Sequence, residues 1–284
     1  VRFAWIRRQS GSVALMCRIL KVSRNGYYDW LGRPASAGAL RREQLADQIR
    51  QAHQDSRGLY GSPRVHQELL AQGVKVSLNT VAKIMKKQEI RSKIHRKFKP
   101  RTTDSAHGLP VARNLLARQF NPLSLNLSWC CDITYIFTDE GTLYLAAVLD
   151  LCSRRVVGWA MAAHQRSELA QDALKMALQH RCVEAGLLCH SDQGVQYAAE
   201  DYQRLLAARG IVCSMSAVGD CYDNAVMESF FGTLKTEEVF HKRYHTHSQA
   251  RLELFEYMEV FYNRQRRHSS IGYLSLEAFE ASLP

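Results

Sequence analysis

The sequence lacks the cysteine and hydrophobic patterns that mark metal-binding zinc modules, disulfide-rich domains and membrane proteins. Its eight cysteines are scattered and form no CxxC pair, which is typical of reduced, buried thiols in a cytoplasmic protein. The longest purely apolar run, Leu143 to Leu149, is far too short to span a bilayer. Hydrophobic residues still make up 46% of the chain, which is enough for a substantial core in one large or two to three small domains.

Acidic residues are scarce in the first half of the chain and plentiful in the second. Residues 1–128 hold 24 Lys and Arg against 7 Asp and Glu, a net charge of +17. Residues 129–284 hold 14 against 20, a net charge of −6. This division predicts a DNA-binding half joined to a half that collects cations. The alternative is an ordinary solvated basic surface.

The N-terminal segment, residues 1–40, is predicted to be helical. Residues 12–32 have the pattern of two short helices around a turn, and Ser23 is expected to cap the second helix. The pair is either a helix-turn-helix that touches DNA or a simple helical hairpin.

Residues 41–101 predict a second helical module that ends in a basic linker. Helices are expected around Gln44–His53, from a Ser62 cap to about Gln72, and from a Ser77 cap onward. A turn followed by a Lys-rich helix is typical of a major-groove reader, and the alternative is a packing module with a basic face. The predicted DNA contacts are the basic residues of this last helix and of segment 91–101: Lys83, Lys86, Lys87, Arg91, Lys93, Arg96, Lys97, Lys99 and Arg101.

From Trp129 onward the pattern changes to strands. Strands are predicted at 129–138, 142–150, 155–161, 187–191 and 211–215. Short connections between the first three indicate an antiparallel meander, and the later alternation with helices predicts a mixed five-stranded α/β sheet. The predicted divisions are a connector at 102–128, a catalytic core at 129–240 and a helical extension at 241–284, whose long helix would run from Ser248 to about Arg266.

Three carboxylates stand on three separate elements of this core. Asp132 lies inside the apolar segment WCCDITYIF, Asp192 closes a short strand, and Glu228 lies in the first turns of a helix. A carboxylate in the middle of a strand is costly unless it is paired or binds a metal. Oxygen ligands suit Mg²⁺ or Mn²⁺, and two such ions would serve phosphoryl transfer.

Each acid also has a simpler interpretation. Asp132 would form a buried ion pair with an arginine such as Arg154, Asp192 would be a turn residue, and Glu228 would favour the positive end of its helix dipole. Asp150, at the far end of the next strand, competes with Asp132 for the catalytic role, although Asp is common before a turn.

Three longer motifs carry a resemblance to a known family. They are HSDQGVQY from His190, DNAxxESFFxxLKxE from Asp223 and YNxxRxH from Tyr262. In this order they resemble the transposases of bacterial insertion sequences, in particular the downstream-frame protein of the insertion-sequence-three family. The resemblance implies an RNase H-like fold with an integrase-type D-D-35-E core, and 35 residues do separate Asp192 from Glu228.

The resemblance also assigns roles to single residues and partners. It implies that Lys235 binds a terminal phosphate, that Asn224 positions DNA or the start of its helix, and that two Mg²⁺ or Mn²⁺ ions are bound. An upstream-frame protein or fusion is a possible partner, although nothing in this chain resembles that segment. The chain departs from the family pattern at Cys130-Cys131 before the first acid and at Leu276, where Pro is usual.

The predicted function is therefore that of a bacterial transposase, cytoplasmic and associated with the nucleoid when it acts. It would cut DNA at the terminal inverted repeats of an insertion sequence and join the freed ends to target DNA. Two coordinated ends imply a homo-oligomer, at least a dimer on DNA. The alternatives are a non-catalytic DNA-binding regulator that descends from a transposase, and an RNase H-like nuclease.

Overall fold

The structure is a computed structural model that describes residues 1–34, 36–93, 110–217 and 221–283. Its helices in chain order are α1 Arg2–Arg8, α2 Val13–Ile19, α3 Arg24–Gly32, α4 Ala37–Asp55, α5 Ser62–Ala71, α6 Leu78–Lys87, α7 Ser167–His180, α8 Val195–Ala198, α9 Glu200–Ala208, α10 Ala225–Glu237, α11 His247–Phe255 and α12 Leu276–Ser282. Its strands are β1 Ser128–Thr138, β2 Gly141–Asp150, β3 Val156–Ala162, β4 Leu188–Ser191 and β5 Val212–Met215.

Serine caps explain where several helices begin, as the sequence predicted. The Ser23 hydroxyl accepts from the Gly26 backbone N–H at the start of α3, and Ser77 does the same for Thr80 in α6. Each such bond satisfies a backbone donor that the helix itself leaves without a partner.

Two predicted starts were wrong by one or two residues. Ser62 is the first residue of α5, after an extended Gly61 that acts as the cap. Helix α11 begins at His247 because Thr246 caps it. The Thr246 hydroxyl accepts from the Gln249 N–H at 3.0 Å, so a β-branched cap replaced the serine that the sequence pattern favoured.

The sheet has the predicted five strands in the order β3-β2-β1-β4-β5. β1 to β3 pair antiparallel, whereas β4 pairs parallel with both β1 and β5. This mixed sheet with helices on both faces confirms the predicted RNase H-like core. Helix α7 approaches β3 so closely that a Cβ on Gly158 would lie 2.3 Å from the Ala173 carbonyl oxygen.

Two hydrophobic clusters flank the sheet. One lies between the sheet and α7, α8 and α9. The other lies on the opposite face and is continuous from Val65 and Val81 of the α4–α6 module to Leu145 of the sheet and Phe261 of the C-terminal extension. The α4–α6 module therefore packs on the core and extension. Helices α1–α3 have a small cluster of their own around Ile6, Cys17 and Tyr27.

The C-terminal extension departs from the predicted long helix. After α11 the chain continues as a π-helix, Glu256–Gln265, whose inward side chains include Tyr257, Phe261 and Tyr262.

The predicted basic linker, residues 91–101, lies mostly outside the described residues. Across the described ranges, no helix combines the length and the apolar character that a membrane crossing requires.

Candidate active site

The sheet register brings Asp132 and Asp192 together. β1 pairs with β4 only from Ser128 to Cys130, and the last pair is Cys130 with His190. Two residues further along each strand stand Asp132 and Asp192, so the continued parallel register places the two acids level. Neighbouring strands lie about 4.8 Å apart. Strand β4 ends at Ser191, whereas β1 continues to Thr138. Both carboxylates therefore lie where β1 loses β4 as its neighbour in the sheet.

Helix α10 carries Glu228 in its first turn, and the helix start is tied to β1. The Asn224 side-chain amide donates to the Cys131 carbonyl oxygen at 3.3 Å, directly before Asp132. Asn224 is buried, and its own side-chain oxygen has no hydrogen-bond partner among the residues that the structure describes. Asn224 and Glu228 are four residues apart, so they lie on the same side of the turn.

Asp223 braces the chain just before α10. Its buried carboxylate accepts from the Asn114 side-chain amide at 2.9 Å, the Arg118 Nε at 2.9 Å and the Ala217 backbone N–H at 3.0 Å. The Ala217 hydrogen bond, followed by the Arg118 contact, holds the pKa of Asp223 below its usual value. The connector and the segment after β5 are thereby joined at the start of the Glu228 helix.

Asp132 lies in an electrostatic environment that favours a cation ligand. Burial, then the negative charge of Asp192 and, more weakly, that of Glu228 raise the pKa of Asp132 well above its usual value. The Ile133 N–H, which donates to Asp132 at 2.7 Å, and the Lys235 ammonium act in the opposite direction. A divalent cation would relieve this repulsion, and an all-oxygen donor set suits Mg²⁺ or Mn²⁺.

The three acids are neighbours without forming a closed cage. Asp132 and Asp192 are half-buried and Glu228 is exposed. Asp192 is shaped by its turn, since its Oδ1 accepts from the Gly194 N–H at 3.0 Å. In the ranges that the structure covers, no three His, Cys, Asp or Glu side chains are gathered tightly enough to hold one ion.

Asp150, the competing acid, has a structural role. It is fully buried, and it accepts from the backbone N–H groups of Asn126, Cys152 and Ser153 at 2.7–3.0 Å. It also pairs with Trp129 across the hairpin, three residues away from Asp132. Its carboxylate is satisfied by the turn that follows β2, so it is not a partner of Asp192.

Lys235 lies two turns after Glu228 on α10. Its ammonium stands 4.3 Å from the centre of the Tyr135 ring, a cation–π contact. Burial lowers its pKa, and the charge of Asp132 raises it in part. This position beside the acids is compatible with the predicted phosphate contact, which stays a prediction.

The other predicted DNA contacts divide into two groups. Lys83, Lys86 and Lys87 are exposed on α6, and Arg91 and Lys93 are exposed just after it. The remaining four, Arg96, Lys97, Lys99 and Arg101, lie outside the described residues. A DNA-contact role for any of them stays a prediction.

The YNxxRxH motif turns out to anchor the Glu228 helix, a role that the sequence did not assign. Arg266 donates to both Glu237 carboxylate oxygens at 2.7 and 2.8 Å, and Glu237 is the last residue of α10. Asn263 pairs with the backbone of Val156 in β3, donating to its carbonyl and accepting from its N–H. The only indication of these contacts in the sequence was the order in which the motifs occur.

Models of known protein families match most of this chain. Family models match residues 124–221 and 209–275, both described as an integrase core domain, and residues 40–98, described as an HTH-like domain. Among solved structures, the chain is similar to one in the simian T-cell lymphotropic virus intasome in complex with PP2A regulatory subunit B56 gamma. The TM-score is 0.48 with 16% identity, over 83% of this chain and 75% of that one.

Two bacterial relatives are much more similar in sequence. The insertion element IS600 uncharacterized 31 kDa protein of Shigella sonnei is 44% identical over 93% of this chain and 97% of its own length. Transposase InsF for insertion sequence IS3A of Escherichia coli (strain K12) is also 44% identical, over 95% of this chain and 94% of its own. At this identity across nearly the full length of both relatives, the chain belongs to the insertion-sequence-three family of transposases with an integrase core domain.

Proposed function

We propose that this protein is a DNA transposase whose site consists of Asp132, Asp192 and Glu228. It hydrolyses a phosphodiester at the end of an insertion sequence with water, and the freed 3′-OH then attacks a phosphodiester of target DNA. The new bond forms as the target strand's own 3′-oxygen leaves as a 3′-OH. The observation that carries the proposal is the parallel pairing of Cys130 with His190, which supports an arrangement with Asp132 and Asp192 level, each two residues further along. Glu228 is the proposed third acid, because its negative charge contributes to the raised pKa of Asp132.

The three carboxylates would hold two Mg²⁺ or Mn²⁺ ions. Such ions supply the activation of an attacking oxygen and the stabilisation of a leaving oxygen in phosphoryl transfer. The side chains of the chain bind and orient: the acids fix the cation positions, and Lys235 holds a phosphate oxygen next to them. No Ser, Tyr or Cys of the chain is needed as a nucleophile.

The α4–α6 module and Lys235 are proposed to hold the element's terminal inverted repeat and the target DNA. Lys83, Lys86 and Lys87 form an exposed basic face on α6, as a helix that enters the major groove requires. Coordinated cutting of two ends requires one site per end, so we propose that at least two copies assemble on DNA. An upstream-frame protein or fusion remains a candidate partner.

The test uses labelled DNA that carries an element end together with a plasmid target. Wild-type protein with Mg²⁺ should nick the end and join it to the plasmid, and EDTA should stop both steps. Asp192→Asn and Glu228→Gln should abolish both steps while DNA binding persists. Asp172→Asn is the matched control, since Asp172 is an exposed acid on α7. Undiminished joining by Asp192→Asn contradicts the assignment.

The same assay separates the two other candidates. A nuclease of the RNase H-like class would cut without joining, and a regulator would bind element ends without cutting them in any metal. Each outcome yields a different set of labelled products, so a single gel distinguishes the three functions.

A further inference from the structure

The outer part of β1 carries an aromatic pair three and five residues beyond Asp132. The rings of Tyr135 and Phe137 have their centres 5.0 Å apart and are tilted by 55°. Phe137 is 69% exposed, more than any other large aromatic side chain in the part of the chain that the structure covers. It belongs to neither of the hydrophobic clusters that flank the sheet. An aromatic ring in this setting gains nothing from the protein core.

This pair lies where the sheet opens. β1 has its pairing with β4 only up to Cys130, so the strand from Asp132 to Phe137 runs past the end of β4. At a rise of about 3.3 Å per residue, the Tyr135 and Phe137 backbones lie roughly 10 and 17 Å along the strand from Asp132. That is about three to five nucleotides of a stacked DNA strand, at roughly 3.4 Å each.

Charge at this place favours a polyanion with flat bases. The Lys235 ammonium lies over the Tyr135 ring at 4.3 Å and is positioned to meet a phosphate. At the tip of the β1–β2 hairpin, Asp139 pairs with Arg243 at 3.0 Å and with His245 at 2.8 Å. The charges at the tip therefore compensate each other. Aromatic faces next to a cation are the elements that single-stranded DNA-binding sites combine.

We infer that Tyr135 and Phe137 form a stacking platform for unpaired bases of the DNA strand that leads away from the reacting phosphate. This inference rests on the proposed function and deepens it. Bases inside a duplex already stack on each other, so the platform takes only bases that have left the helix. The protein would therefore prefer an element end whose last few base pairs are open.

The test measures binding in EDTA, where no cleavage occurs, with the full chain. One probe is a duplex with a five-nucleotide single-stranded extension that carries 2-aminopurine, and the other is a blunt duplex of the same sequence. Wild type should prefer the extended probe and quench its fluorescence. Phe137→Leu should lose about tenfold of that preference, as the removal of one stacking ring does, and Phe137→Trp should retain it.

Phe255→Leu is the matched control, because Phe255 is also an exposed phenylalanine, 44% exposed at the end of α11. It should leave the preference unchanged. Equal preference in wild type and Phe137→Leu overturns the inference. So does a change in self-association of Phe137→Leu with unaltered probe preference, since that result would assign the pair to a contact with a second copy.

Failure of this inference is distinguishable from failure of the proposed function. Cleavage and joining by wild type in Mg²⁺ test the function alone. Loss of probe preference in Phe137→Leu tests the platform alone, because the EDTA assay contains no chemistry.

Discussion

At the scale of single residues, Asp132 is held in an unfavourable charge state when no cation is present. Its ionised form has lost hydration and faces Asp192 and Glu228. The folded-state pKa is therefore raised above that of the unfolded chain, where Asp titrates near 3.9. Its contribution to stability is fully present below the unfolded pKa and is lost as the pH rises through the folded value.

Replacing this carboxylate by an amide should stabilise the metal-free protein. We expect Asp132→Asn in EDTA at pH 7 to melt at least about 2 °C above wild type, since the amide keeps the acceptor for the Ile133 N–H and removes the repulsion. The difference should shrink as the pH falls from the raised folded pKa toward about 4, the pKa of the unfolded chain, and Mg²⁺ should raise the Tm of wild type more than that of the variant.

Thermal denaturation monitored by circular dichroism checks this expectation, with Asp172→Asn as the control for loss of a surface charge. A variant that melts at or below wild type in EDTA at pH 7 would contradict the electrostatic account.

The three acids could be proposed from the sequence, but their geometry could not. Two motifs indicated Asp192 and Glu228, and the position inside an apolar strand indicated Asp132. The competition with Asp150 was decided only by the turn that satisfies its carboxylate. The register of β1 and β4 could not be predicted from the sequence, because the two strands share only three paired positions. Three positions are too few to leave a periodic pattern of side chains.

At the scale of elements, helix α10 is fixed at both ends. Asn224 and Asp223 tie its start to β1 and to the connector, and Glu237 ties its end to Arg266. Hydrogen bonds and charge from Glu237 outweigh the effect of burial and raise the pKa of Arg266. Glu228 lies between these two anchors, so its position depends on both.

Breaking the second anchor from one side should be costly. Arg266 and Glu237 side chains are only 4% and 10% exposed. Arg266→Met should therefore lower the free energy of unfolding by up to about 3–5 kcal/mol, because the buried carboxylate keeps only the Tyr257 hydroxyl and the more distant Arg64. The double variant Arg266→Met, Glu237→Leu should recover most of that loss. Urea denaturation gives these values, and additive losses in the double variant would show that the two residues act independently.

The contact of α7 with β3 allows a second test with a built-in control. Gly158→Ala should destabilise the fold by at least about 1–3 kcal/mol, because its Cβ would lie 2.6 Å from the Ala177 nitrogen. Gly232→Ala adds the same methyl group to an open position in α10 and should be neutral or stabilise by up to about 1 kcal/mol. Equal effects of the two substitutions in chemical denaturation would refute this packing argument.

The helices and strands could be predicted from the local sequence pattern. Their first and last residues were harder to predict, because they depend on capping contacts that the local pattern captures less well. Ser23 and Ser77 cap as predicted because nothing competes with them. Thr246 caps α11 in place of the expected Ser248, and the π-helical turns after Phe255 were not predicted. Those turns bring Asn263 onto β3, a tertiary constraint with no local sequence signature.

At the scale of the whole molecule, the basic module and the acidic half form a continuous structure. Arg267 binds Glu68 at 2.7 Å and its backbone N–H donates to the Tyr60 hydroxyl. Arg64 of α5 lies 3.7 Å from Glu237 at the end of α10. The charge division visible in the sequence is therefore a division between surfaces of one packed body.

The basic face of α6 should dominate the salt dependence of DNA binding. Replacing Lys83, Lys86 and Lys87 by Ala should reduce the slope of log K against log salt by about 2–3, since each phosphate contact contributes about 0.9. The control replaces three exposed basic residues elsewhere: Lys175 of α7, Arg204 of α9 and Arg209 directly after α9. Fluorescence anisotropy over a salt series measures both, and equal slopes for the two triple variants would exclude α6 as the contact surface.

The outer edge of β3 has a consequence for how copies of this protein can assemble. Side chains occupy four of its main-chain groups: Asn263 binds both groups of Val156, Arg251 binds the Met161 carbonyl, and the Met176 sulfur accepts from the Trp159 N–H. An edge occupied in this way is a poor template for strand addition. If two chains assemble on DNA as proposed, we expect them to associate through helices, through the β5 side or through the DNA itself and not through β3.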